Sequence, residues 1–414
     1  MSEVTMPRPA APEQPVGAAA AWGRVGLLLS GQGISLIGDQ VFFIAAMWAA
    51  AQLGGTVGVT WVTLAESVPR ALAMIFGGVL CDAFGPRVVL LRTTGVRIVV
   101  LATAVGVAMT AQSVALLVVV AGLEGLLLGL GSPSFGTLLP RMVSGDRLGT
   151  ANSIRSMVGG FAPILGSPFG AWLVATGHLS VALAVVCGGC VVSWLCLAPS
   201  TRSIDVPRTA STVPLWRRSG DGVKLLLANQ KLRLLFLSGL CLDFAFAWPM
   251  NPGLPEVIIR RGWHVYAVGL LIACWAAGAL VSAGLGALLG QRIPLSFALV
   301  GSSFGIAVLL SGMILAPSLP LMALLAVLLG VCSGQNAPAA VTLYQKASPP
   351  DQLGAAMSML SLAGIGCAPV AYAICGLIAS LSSPSVAWFC SALIAFGGPL
   401  AAARALQVHR AEQS

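Results

Sequence analysis

Long apolar stretches, separated by short polar connections, recur along the whole sequence. Twelve of them are long enough for a helix to cross the ~30 Å hydrocarbon core of a membrane. Their apolar residues are continuous and do not alternate with polar ones, so the pattern predicts α-helices. The predicted helices, numbered 1 to 12, lie near 24–50, 57–80, 88–110, 112–137, 150–175, 179–199, 231–254, 264–290, 293–315, 319–345, 352–380 and 384–405.

The composition is typical of a chain that lipid solvates. Only 8% of the 414 residues are charged, against about a quarter in soluble domains, and the mean hydropathy is +0.93. The net charge of +9 does not indicate nucleic-acid binding, because 18 of the 22 Lys and Arg residues fall in connections on one side of the predicted helices. This asymmetry predicts that both termini are cytoplasmic. Arginine far outnumbers lysine, consistent with a high-GC bacterium, so we expect a multi-pass protein of the bacterial plasma membrane.

An internal repeat divides the chain into two halves. The stretch DRLGTANSIRS at 146–156 recurs as DQLGAAMSMLS at 351–361, an offset of 205 residues. Parallel halves of six helices each describe one transporter architecture. The predicted fold is therefore an all-α membrane protein with two pseudo-symmetric six-helix bundles. Its predicted parts are a disordered cytoplasmic tail 1–22, an N-terminal bundle 23–200, a cytoplasmic linker 201–230 with an amphipathic segment, a C-terminal bundle 231–405 and a cytoplasmic tail 406–414.

Four carboxylates fall inside the predicted helices. Asp39, Glu66, Glu124 and Asp243 lie near the middle of helices 1, 2, 4 and 7. A charged carboxylate at the centre of a lone membrane helix costs about 2.5–3.5 kcal/mol on insertion scales. These four groups must therefore be paired, protonated or in contact with water.

Asp39 is the first candidate for proton coupling. Gln32, Ser35 and Asp39 are spaced i, i+3 and i+7, which places them on one face of helix 1. A polar stripe on an apolar helix is expected to line a hydrated cavity, where a carboxyl group can bind and release a proton. The alternative is a neutral or hydrogen-bonded packing residue.

Two arginines inside the helices are expected to partner the carboxylates. Glu66 and Arg70 are spaced i, i+4 and can form an ion pair, which favours a structural role. Arg97 could partner either Glu124 or Glu66. Since most of these charges belong to the N-terminal half, we expect proton coupling there.

Substrate selectivity is expected to involve aromatic and amide side chains of the C-terminal half, which suit bulky organic ligands. Packing or lipid contact is the alternative role for each of them. With the polar residues Gln32 and Ser35 of helix 1, the substrate-binding candidates are Asp243, Phe246, Trp248, Gln335, Asn336 and Tyr372.

The connection between helices 2 and 3 resembles a known signature. GVLCDAFGPR at 78–87 is similar to the loop of the major facilitator superfamily, G-x-L-x-D-x-x-G followed by two basic residues, with Pro86 at one basic position. The resemblance implies a gating role for Gly78, Asp82, Gly85 and Arg87. In this interpretation Gly78 permits close helix approach, Gly85 permits a tight turn and Asp82 caps or pairs across the halves.

Further segments resemble the drug:proton antiporter-3 branch of that superfamily, which includes macrolide and siderophore exporters. The segments that resemble this branch are SGQGISLIGDQ (30–40), DRLGTANS (146–153), GDGVKLLLANQKLRLLFL (220–237) and PPDQLGAAMSMLSLAG (349–364). Separately, GGFAPILGSPFG at 159–170 is a partial match to the antiporter motif of the superfamily, with close helix packing as its alternative explanation.

The resemblance implies export of a drug, antibiotic or siderophore-like molecule in exchange for protons. Import of a metabolite and a non-transporting receptor or scaffold remain as alternatives. We expect no enzyme, no cofactor and no metal, because the three histidines lie far apart and Cys187 and Cys190 fall within one helix. The expected partners are a small-molecule substrate, protons and the lipid bilayer, and a monomer is sufficient for alternating access.

Overall fold

The computed structural model describes residues 18–143, 146–176, 178–202, 223–289, 294–349 and 352–411, and the regular elements within them are helices. The all-α prediction is therefore confirmed for these residues. In chain order the helices are α1 Ala18–Phe84, α2 Pro86–Thr110, α3 Val114–Met142, α4 Asp146–Thr176, α5 Leu179–Ser200, α6 Gln230–Met250, α7 Gly253–Arg260, α8 Tyr266–Leu289, α9 Leu295–Leu315, α10 Leu319–Ala347, α11 Leu353–Leu381, α12 Pro384–Ala395 and α13 Gly397–Ala411.

Ten helical stretches of the described residues are long and apolar enough to cross a membrane. The first of them, Trp22–Met74 in α1, has 53 residues and covers predicted helix 1 and most of predicted helix 2. α1 bends between the two at Gly55, whose φ of 56° lies in the left-handed region that favours glycine. A shorter apolar stretch, Gly366–Leu381, lies where helix 11 is predicted. Counting α1 twice and adding this stretch accounts for the twelve predicted helices.

Several helix ends differ from the prediction. α1 begins at Ala18, inside the predicted tail, while residues 1–17 lie outside the described part of the chain. α6 ends at Met250, because Asn251 precedes Pro252 and a residue before proline disfavours the α conformation. Of the predicted linker 201–230 with its amphipathic segment, residues 203–222 lie outside the described part of the chain.

The two halves of the chain approach each other most tightly at one end of the bundle. A side chain at Gly376 of α11 would overlap Thr60 of α1, and one at Gly269 of α8 would overlap Ser167 of α4. Ile44 and Ala171 of the N-terminal half also belong to the buried core of the C-terminal half. We call this the closed end. The predicted topology places it on the outer side of the membrane.

Candidate functional site

A buried cluster of charges joins three helices of the N-terminal half. Arg97 of α2 donates from Nη2 to Asp39 Oδ1 of α1 at 2.6 Å and from Nε to Glu124 Oε2 of α3 at 2.8 Å. Its Nη1 donates to Ser35 Oγ at 3.2 Å. The guanidinium thus holds two carboxylates and a hydroxyl in fixed positions, as the planar fork of arginine favours.

The cluster is largely buried and contains one more carboxylate than it has positive charges. The Arg97 and Glu124 side chains are only 4% and 1% exposed, whereas Asp39 is 21% exposed. Glu124 Oε1 is buried without a hydrogen-bond partner. One positive charge therefore faces two carboxylates where an uncompensated charge is costly. Binding one proton makes the cluster neutral. Of the two carboxylates, Asp39 lines the two cavities described next, whereas Glu124 lines neither.

The predicted polar stripe lies on the wall of a small cavity. Gln32, Ser35 and Asp39 line a space of about 150 Å³ inside the N-terminal half, together with Arg97 and Arg155. Gln32 Oε1 is buried without a hydrogen-bond partner. The three stripe residues therefore share one polar interior surface.

Glu66 and Arg70 form the predicted i, i+4 ion pair. Arg70 Nη1 lies 3.4 Å from Glu66 Oε1, and the Arg70 side chain is half exposed. Of the two partners left open for Arg97, the structure gives it Glu124, with Asp39 as a second carboxylate. Asp39, Glu66 and Arg70 all line a larger cavity between the two halves.

This central cavity has a volume of about 560 Å³ and is lined by both halves. The charged residues of its wall belong to the N-terminal half, and three of its four aromatic residues belong to the C-terminal half. The polar and aromatic lining residues are Asp39, Gln40, Phe43, Thr63, Glu66, Ser67, Arg70, Phe246, Asn251, Trp275 and Tyr372.

A side chamber of about 320 Å³ extends this cavity into the C-terminal half. It shares Phe246, Trp275 and Tyr372 with the central cavity and adds Asp243 and Asn336. The Phe246 and Trp275 rings are 5.3 Å apart. Asp243 is exposed to this space, and none of the described hydrogen bonds or ion pairs uses its carboxylate. A negative charge therefore lies beside three aromatic rings.

Sequence comparison assigns the family. The profile of the Major Facilitator Superfamily matches residues 28–264, more than half of the chain. The chain belongs to the major facilitator superfamily. An uncharacterized MFS-type transporter of Sinorhizobium fredii (strain NBRC 101917 / NGR234) is 24% identical over 384 residues, which cover 88% of this chain and 90% of that protein.

Solved structures of transporters share the fold. The POT family transporter PepTSo has a TM-score of 0.74 at 12% identity, over 97% of this chain and 99% of that chain. A D-xylose-proton symporter has a TM-score of 0.69 at 15% identity, over 94% and 96% of the two chains. The fold prediction is thereby confirmed, and this member of the superfamily is a multi-pass membrane transporter.

Two substrate-binding candidates of this transporter are used in packing. Trp248 is 1% exposed and fills the core against Gly253. Residues two apart on a helix point about 200° apart, so Phe246 and Trp248 cannot both face the cavity. Gln335 Nε2 donates to the Ser282 carbonyl of α8 at 3.2 Å. A cavity-facing role for Trp248 and Gln335 is therefore not supported.

Asn336 combines packing with a position at the side chamber. Its Nδ2 donates to Ser302 Oγ at 2.9 Å and to Ser303 Oγ at 2.8 Å, both on α9. The amide nitrogen thus fixes α10 against α9 while the residue lines the chamber.

The structure agrees with only part of the interpretation of the signature loop at 78–87. Gly85 makes the tight turn between α1 and α2 with φ 84°. A side chain at Gly78 would meet no atom within 4 Å, so the close approach assigned to it is wrong and belongs to Gly77, which abuts the Leu130 carbonyl. Arg87 Nε is buried without a hydrogen-bond partner. The side chain of Asp82 lies outside the described part of the chain.

Sequence reasoning missed two residues of this region. Trp275 lines both cavities, and its position in mid-helix, away from the membrane interfaces where tryptophan is enriched, was an available signal. Glu256 lies buried in α7. Its signal was an acidic residue flanked by Pro255 and Val257 in an otherwise apolar segment.

Proposed function

We propose that this transporter exports a small organic molecule in exchange for protons. The observation that carries this proposal is the Arg97–Asp39–Glu124 cluster, with two carboxylates on one guanidinium at the wall of a cavity between two halves. Charges that deep in a membrane protein are retained at ion and proton pathways. Protonation of Asp39 neutralises the cluster and weakens its bond to Arg97, which couples proton binding to a rearrangement of α1 and α2.

The side chamber supports a positively charged substrate. Asp243 supplies a carboxylate without a described partner, and the faces of Phe246, Trp275 and Tyr372 attract cations. The two connected spaces have volumes of about 560 and 320 Å³, within the range of about 300–1,000 Å³ that suits drug-sized ligands. An amphipathic organic cation fits both the charge and the rings.

The direction of transport follows from the resemblance to the drug:proton antiporter-3 branch. The closed end is the outer end in the predicted topology, so the cavity faces the cytoplasm, a state that export and import cycles both include. Import is the alternative, since a D-xylose-proton symporter and a nucleoside transporter share the fold at 15% and 12% identity. We place the transporter in a bacterial plasma membrane with both termini cytoplasmic.

The substrate class is tested by binding of three probes of similar size. Tetraphenylphosphonium is a cation, triphenylphosphine oxide is neutral and tetraphenylborate is an anion. We expect purified protein in nanodiscs to bind the cation, and Asp243→Asn to weaken that binding about tenfold, because the ion pair with the carboxylate is lost while the aromatic rings remain. Equilibrium dialysis with subtraction of empty nanodiscs gives the dissociation constants.

Asp243→Glu is the matched control, since it keeps the carboxylate and is expected to retain cation binding. Equal binding of all three probes, or unchanged cation binding in Asp243→Asn, would contradict the substrate class. Proton exchange is tested separately, by transport.

A further inference from the structure

A buried carboxylate lies outside the membrane-spanning helices, at the closed end. Glu256 belongs to α7, the short helix between α6 and α8. It is only 4% exposed, and both of its carboxylate oxygens are buried without a hydrogen bond of good geometry to any described group. An ionised carboxylate in that environment is costly, whereas a protonated carboxyl group is tolerated.

The surroundings of Glu256 are mainly apolar. α7 packs against α1, α6, α8 and α12, and its Leu254 and Val257 share one buried cluster with Trp248 of α6, Val268 of α8 and Trp388 of α12. These neighbours supply no charge to stabilise a carboxylate.

Two polar groups act weakly on Glu256. Thr56 of α1 follows the bend at Gly55, and Arg260 is one turn further along α7. Burial raises the pKa of Glu256 to about 7, against smaller lowering effects of Thr56 and Arg260.

Other charged or titratable groups near α7 are engaged elsewhere. Arg261 donates to the carbonyls of Ile314 and Ala316 at the end of α9, and His264 stacks on Tyr266 at the start of α8. On α6, Asp243 faces the side chamber. Among the described residues, Arg260 is therefore the charged group whose field acts on Glu256.

We propose that Glu256 is a second proton-binding site, which stabilises the closed end when protonated and releases its proton to water when that end opens. The site belongs to the contact between α7 and α1, so separation of the halves removes α1 and hydrates the carboxylate. The proposal rests on the alternating access of the proposed function, but it depends neither on the substrate nor on the direction of transport.

The sign of the pH effect follows from the two states. In the closed state the pKa of Glu256 is about 7, and in a hydrated open state it returns towards its ordinary value of 4.5. Between these values the closed state binds more protons, so closure is favoured as pH falls and weakens as pH rises through 7. The ratio of closed to open molecules is expected to change about tenfold between pH 6 and pH 8.

Hydrogen–deuterium exchange of the full chain in nanodiscs measures this directly. The backbone amides of 253–260 report the opening of α7, after correction for the intrinsic pH dependence of exchange. We expect about tenfold faster corrected exchange at pH 8 than at pH 6 in the wild type. Glu256→Gln is neutral at every pH and is expected to stay slow at both.

Thr56→Val provides a second readout that remains if Glu256→Gln does not fold. It removes a group that lowers the pKa of Glu256, so the midpoint of the wild-type response should move to higher pH. An unchanged midpoint in Thr56→Val would overturn the proposal. So would a wild type without pH response, or a Glu256→Gln protein that keeps the wild-type response. A response to sodium at constant pH would instead assign the carboxylate to a metal cation and also overturn it.

Discussion

At the residue scale, Arg97 organises the charges of the N-terminal half. It contacts Asp39, Glu124 and Ser35, which come from two other helices. The sequence indicated which residue types lay inside the membrane, because each carboxylate interrupts an apolar stretch. It does not indicate which of them meet, because that depends on the rotation and height of neighbouring helices, and both Glu124 and Glu66 are compatible with the sequence as partners of Arg97.

Removal of Arg97 is expected to destabilise the protein strongly. Arg97→Met leaves two carboxylates without a cation, and breaking a buried ion pair in this way costs about 3–5 kcal/mol. Glu124→Gln added to Arg97→Met is expected to recover part of the loss. Thermal unfolding of the purified protein, followed by intrinsic fluorescence, measures the change in Tm.

Arg70→Met is the matched comparison for Arg97→Met. Its ion pair with Glu66 is half exposed, so its loss is expected to cost about 1 kcal/mol or less. Equal losses of Tm in the two variants would contradict the structural importance given to the cluster.

At the element scale, the helices were predictable and their interruptions were not. Apolar length located the membrane-spanning stretches, whereas the end of α6 at Met250 and the separate helix α7 required attention to Asn251 and Pro252. The same local effect hid Glu256, because the sequence-based boundary placed helix 7 to residue 254 and the next residues in a connection. The residue type of Trp248 suits a ligand cavity, but its direction on the helix places its ring in the buried core.

The closed end depends on close approach between α1 and α11. A Cβ atom at Gly376 would lie 2.5 Å from Thr60 Oγ1, so Gly376→Val forces the helices apart. Such overpacking costs about 1–3 kcal/mol, which is expected to shift the molecules towards the open end by about 5- to 150-fold. Hydrogen–deuterium exchange of residues 56–62 should become correspondingly faster.

Gly366→Val is the control on the same helix, because no atom lies within 4 Å of a side chain at that position. It carries the same change of helix propensity without the clash. If both valine variants exchange at the same rate in 56–62, the closed end does not depend on the contact at Gly376.

At the scale of the whole molecule, the internal repeat predicted two bundles, and the family match together with the fold shared with PepTSo confirms that architecture. The cavity between the bundles could not be predicted residue by residue, since it is formed by sides of helices from both halves. Its two walls differ, with charges in the N-terminal half and aromatic rings beside Asp243 in the C-terminal half. This difference is the basis for separating proton binding from substrate binding.

The central claim is that Asp39 couples proton movement to export. Its most direct test is uptake of tetraphenylphosphonium into proteoliposomes with an acidic lumen, with the membrane potential clamped by potassium and valinomycin. We predict that the wild type accumulates the cation as protons leave the lumen. In Asp39→Asn the accumulated amount of the cation is expected to fall about tenfold, while exchange of the cation in the absence of a proton gradient continues. Accumulation only in an alkaline lumen, or full accumulation by Asp39→Asn in the acidic one, would contradict the claim.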